Sequence, residues 1–127
     1  MTHRLLTPAI VGLIALAGLG AAPAAAADFT AFRAACASGG AFLIGEVPEG
    51  KNVQPVLDAL CPCLETGFAE FTQPEIDALA ADLRTGDSAE AEAMYPAYAE
   101  LKDKATPILG ACFASEAVMA AARAEGL

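Results

Sequence analysis

Four cysteines are set along this chain as one, two and one: Cys36, then Cys61 and Cys63 on either side of Pro62, then Cys112. The middle pair lies in a run whose apolar residues, Val53, Val56, Leu57, Leu60, Leu64, Phe68 and Phe71, recur at helical spacing. At about 100° per residue, Cys61 and Cys63 fall roughly 80° to either side of that apolar stripe, so they face different neighbours. This geometry suits a helix clamped on both flanks, with one bridge to Cys36 and the other to Cys112. Four cysteines allow three pairings, and the sequence leaves the choice open. A direct bridge between Cys61 and Cys63 is disfavoured, because positions two apart on a helix diverge. The long bridges close loops of about 25 to 75 residues, worth roughly 3 to 4 kcal/mol each in the chain-entropy account.

Bridging requires an oxidising compartment, and the N-terminus predicts export to one. Arg4 supplies a short positive region, and an apolar run follows from Pro8 to Ala22. That run of about 15 residues is shorter than the roughly 20 needed to span a bilayer, which argues against an uncleaved anchor. Ala25 and Ala27 are the small residues expected before a cleavage site, so residues 1–27 read as a signal peptide and 28–127 as a single mature domain. No cysteine directly follows the apolar run, so a lipid anchor is not expected. The predicted location is periplasmic or secreted.

Removing that segment sharpens the charge. All 16 acidic residues lie beyond Ala27, whereas Arg4 is lost, so the formal charge moves from -9 for the whole chain to -10. Such a surface opposes nucleic acid and anionic membrane, and it favours a soluble monomer. The partner class it leaves open is another exported protein, a basic one in particular. A domain of this size buries only a modest fraction of its surface, so covalent staples suit it.

The rest of the mature chain also reads as helix. Phe29, Phe32 and Cys36 mark a first helix that stops at Gly39-Gly40. A Gly-rich loop from Ser38 to Asn52 follows, whose apolar knot of Phe42, Leu43 and Ile44 is expected to fold over the core. Asn52 is the expected cap of the cysteine-bearing helix, which Pro62 should kink. A third helix carries Thr72 as N-cap, Glu75 as its capping-box partner, Phe71 placed to staple against Ile76, and Gly86 as its stop. A fourth starts at Asp87 or Ser88 and carries Ala91, Met94, Tyr98, Leu101 and Ala105 on one face, with a kink at Pro96. Thr106-Pro107 then opens a fifth, bearing Ile108, Cys112 and Met119. On a continuous fifth helix Glu116 would lie among apolar residues. The preferred alternative has Ser115 cap a fresh helix with Glu116 in its exposed first turn, and Arg123 is the partner otherwise available. No segment alternates as a strand does, so the expected fold is all-α, a disulfide-stapled bundle of four to five helices with one long Gly-rich loop.

Function is constrained mainly by what is missing. The only histidine, His3, leaves with the signal peptide, which removes His-based triads, zinc and haem motifs and the usual general base near neutral pH. There is no nucleotide-binding glycine loop, and no cofactor is expected. The carboxylates available for pairing, Glu75 with Asp82 and Glu90 with Glu92, read as surface positions. Two readings remain. One is a non-catalytic binding or interaction module using Phe42, Leu43 and Ile44, or Tyr95 and Tyr98, as its contact surface. The other is a thiol redox or Cu(I)-handling protein acting through Cys61-Pro62-Cys63, with Cys36, Cys112, Met94 or Met119 as further soft ligands.

Overall fold

Helix-favouring segments separated by capping and glycine signals assemble without any strand among the described residues, in a computed structural model that describes residues 26–39 and 41–127. The expected signal segment lies, up to residue 25, outside the described residues. The helices are α1 (Thr30–Gly39), α2 (Ala41–Ile44), α3 (Gln54–Gly67), α4 (Gln73–Thr85), α5 (Ser88–Met94), α6 (Tyr98–Phe113) and α7 (Glu116–Glu125). The fold is all-helical and carries two disulfides.

The local signals act where the sequence places them, with four corrections. Thr72 caps α4 in a complete capping box with Glu75, and Gly86 ends that helix at φ 70°, a left-handed conformation that glycine adopts without strain. Asp87 caps α5, and Ser115 caps α7 by accepting from the Val118 N–H, which leaves Glu116 exposed with Arg123 at 3.3 Å. The expected loop from Ser38 is shorter, because α1 runs to Gly39 and Ala41–Ile44 makes one helical turn. Asn52 stands one residue before the observed cap, Val53, although its side chain still accepts from the Gln54 N–H at 3.0 Å. The break expected at Thr106-Pro107 falls instead at Tyr95–Ala97. Tyr95 adopts the extended conformation (φ -138°, ψ 96°) that a residue preceding proline prefers, so α5 ends before Pro96. Pro107 lies inside α6, where the Thr106 hydroxyl donates to the Lys102 carbonyl. Finally, Phe68 and Phe71, expected on the cysteine-bearing helix, lie beyond its end in the turn leading to α4.

Helix α3 is the centre of the bundle. It packs against α1, α6 and α7, while α4 packs chiefly on α1 and α5. Its buried face carries Val56, Leu57, Leu60 and Leu64. The aromatic residues continue this core across the first half of the molecule. Phe32 meets Phe29 and Phe68 edge-to-face at 5.9 and 5.8 Å, and Phe68 reaches Phe71 at 4.9 Å. Helix α1 comes so close to the end of α4 that a side chain on Gly39 would run into the Leu83 carbonyl.

The two bridges leave α3 in different directions. Cys61 pairs with Cys36 on α1 and Cys63 with Cys112 on α6, with Cα–Cα separations of 6.0 and 5.7 Å. Paired cysteines of this kind persist where the surroundings are oxidising, and two such bridges point toward that kind of environment. The loops they close span 25 and 49 residues and share no stretch of chain.

Two predictions follow from these contacts. Replacing Cys36 and Cys61 together by Ser is expected to cost about 3.5 kcal/mol of unfolding free energy, and replacing Cys63 and Cys112 about 4 kcal/mol. Gly39→Ala should cost about 1–3 kcal/mol in the same denaturant melts, since the obstructing atom is backbone and cannot rotate away.

Candidate functional site

Helices α4 and α6 run antiparallel and are joined by side-chain ties more than by packing. At one end the Lys104 ammonium lies 3.0 Å from Glu75 and 4.3 Å from the centre of the Phe71 ring. Glu75 itself is buried, and the Thr72 backbone N–H, which it accepts, holds its carboxyl below the usual range against the opposing effect of burial. Two helical turns on, the Tyr98 hydroxyl of α6 donates to Asp82 Oδ2 of α4.

Beside these ties α1, α3, α4 and α6 leave a half-open cavity of about 270 Å³. Its floor is apolar, with Phe32, Leu64 and Phe68 each about 1% exposed. Half-buried Leu43, Leu83 and Leu109 form its rim, and Lys102 and Thr106 stand exposed at the mouth. An apolar cavity with a few convergent polar groups is the commonest form of a small-molecule site, and this one sits just below the usual size range.

The polar side of the cavity is a connected network on Asp82. Besides the Tyr98 hydroxyl, Asp82 Oδ2 accepts from Ser88 Oγ at 3.3 Å, and Ser88 Oγ in turn accepts from Lys102 Nζ at 3.4 Å. Lys102 also lies 5.9 Å from the centre of the Tyr98 ring. Burial, and then the bond to Asp82, push the Tyr98 phenol well above its ordinary value.

The residues singled out from the sequence separate in space. Leu43 and Tyr98 both line the cavity, whereas Ile44 and Tyr95 are half-buried against the core elsewhere. Phe42 belongs to α2, but its side chain lies outside the described residues. Tyr98 is 1% exposed, with its ring in the core and its hydroxyl donating to Asp82 at the cavity wall. Glu75 and Asp82 differ from the surface positions expected of them. The capping box and Lys104 make Glu75 tolerable inside, and two hydroxyl donors do the same for half-buried Asp82. Asp82, Lys102 and Thr106 were not singled out as site residues. The signal for Asp82 is its register, since it stands three residues after Leu79 and next to Leu83 on the inward stripe of α4.

All four cysteines are consumed by the two bridges. Among the described residues, no group of three or more His, Cys, Asp or Glu side chains is placed to hold a metal ion. No single helix there is long and apolar enough to cross a membrane. No family model, curated protein or solved structure matches this chain.

The raised Tyr98 pKa fixes the sign of one prediction. A phenol that stays protonated in the fold contributes stability that is complete below its unfolded value, about 10, and is lost as pH rises beyond it. Wild type should exceed Tyr98→Phe by about 1–3 kcal/mol at neutral pH. In denaturant melts that advantage should stay constant up to about pH 10 and narrow above it.

Proposed function

We propose that the chain is an exported, non-catalytic binding module, periplasmic or secreted, that takes an apolar group into the cavity between α1, α3, α4 and α6. The observation carrying this reading is the combination of a fully buried phenylalanine and leucine floor with an open mouth. Closing such a space with side chains would be the expected outcome of packing for stability alone, since empty apolar volume lowers stability in proportion to its size. The bridged state of Cys61 and Cys63 favours this reading over thiol or Cu(I) chemistry, because a sulfur in a disulfide offers neither a nucleophile nor a thiolate ligand. The acidic surface keeps the module in solution and leaves a basic exported protein as the macromolecule that would approach it most readily.

The test is an amide-shift titration of the exported, oxidised protein with toluene, a neutral apolar probe. Shifts should saturate and cluster on the residues around Phe32, Leu64, Leu79 and Leu109. Leu109→Trp, which plugs the rim from a half-buried position, should abolish them while leaving the helical circular dichroism unchanged. Saturable shifts centred elsewhere, such as Met94 to Ala97, or no saturable shifts at all, would overturn the assignment.

A further inference from the structure

The cavity's volume and the polarity of its mouth together specify a kind of ligand. An apolar cavity of about 150 Å³ takes up benzene, so one of about 270 Å³ takes an apolar body of roughly nine to eleven heavy atoms. That is the size of a small molecule and too little to enclose a helix or an extended peptide.

The head of such a molecule would meet both a carboxylate and an ammonium. Tyr98 and Ser88 both donate to Asp82 Oδ2, while no hydrogen bond among the described residues uses Oδ1. Asp82 lines the cavity, and no buried side-chain oxygen or nitrogen there lacks a partner, so Oδ1 is a wetted acceptor. Lys102 Nζ gives one hydrogen bond, to Ser88, and has three to give. The mouth thus presents one acceptor and one donor of opposite charge. An anionic head would gain from Lys102, be opposed by Asp82, and face a chain of formal charge -9. A cationic head would gain from Asp82 and be opposed by Lys102. Either ion also loses hydration at a half-closed site, a cost that a neutral group largely avoids. A hydroxyl both donates and accepts, so its chemistry matches a mouth that offers an acceptor and a donor.

Resting on the binding-module reading above, we infer that the cavity selects small neutral amphiphiles, an apolar body of roughly nine to eleven heavy atoms ending in a hydroxyl or a similar donor-acceptor group, over carboxylates and amines of the same size. Three probes with one body test this: 1-octanol, octanoate and octylammonium, titrated at neutral pH and about 0.15 M salt, where long-range charge effects are damped. Octanol should bind at least tenfold more tightly than either ion, and Leu109→Trp should remove its binding. Lys102→Gln, at an exposed position, should narrow the gap between octanol and octylammonium. Asp82→Asn, which keeps an acceptor for Tyr98, should narrow the gap to octanoate. Equal binding of all three, or preference for one of the ions, overturns the inference but leaves an apolar-binding cavity standing. Failure of all three to bind, or octanol binding that survives Leu109→Trp, overturns the inference together with the reading beneath it.

Discussion

Two disulfides leave the same helix two residues apart and go to opposite neighbours, and the rest of the molecule is arranged around that fact. Positions 61 and 63 diverge by about 160° around a helix. Each bridge therefore fixes a different partner, α1 through Cys36 and α6 through Cys112. Noncovalent contacts alone would leave a domain of this size marginal, since much of its apolar surface stays within reach of water. With α1 and α6 fastened to α3, the chain tolerates features that a better-packed bundle would avoid, including a proline within each of α3 and α6.

The same clamp explains how a cavity can persist. Three of its walls come from the helices that the bridges join, and so their spacing is covalently limited. The fourth wall, α4, is tied to α6 by the Glu75–Lys104 and Asp82–Tyr98 contacts. Hydrogen-bonded ties of this kind, each anchored on one buried partner (Glu75 or Tyr98), are directional. They hold two helices at a set distance even where apolar packing between them is incomplete. The structure therefore combines rigidity at the sulfurs with an open seam between α4 and α6, and the seam is where a binding function can reside.

The helices were legible in the sequence wherever a strong local signal opened or closed them. The Thr72–Glu75 capping box, the Gly86 stop, the Asp87 cap and the Ser115 cap each depend on residues within one turn, and each acts in the fold as its neighbours imply. Proline was harder to read. Pro96 ends a helix and Pro107 sits inside one, and local preference does not separate them. Burial does not separate them either, since both prolines are exposed and both are flanked by buried residues, Ala91 and Tyr98 around Pro96 and Ala105 and Cys112 around Pro107. The cavity was the least legible feature. It forms from one-sided contributions of several helices, and only their relative placement turns Asp82, Lys102 and Leu43 into a common wall. Tyr98 showed the same limit, since an aromatic beside a chain break fits a contact surface and a core equally well until its hydroxyl's partner is known.

The central claim, that α3 is held to α1 by one bridge and to α6 by the other, is tested most directly by counting alkylatable thiols in two paired-serine variants isolated in oxidised form. Cys36→Ser with Cys61→Ser should show none without reductant, because Cys63 and Cys112 remain joined. Cys36→Ser with Cys63→Ser should show two, because Cys61 and Cys112 face different sides of α3. The reverse result, two thiols in the first variant and none in the second, would contradict the clamp.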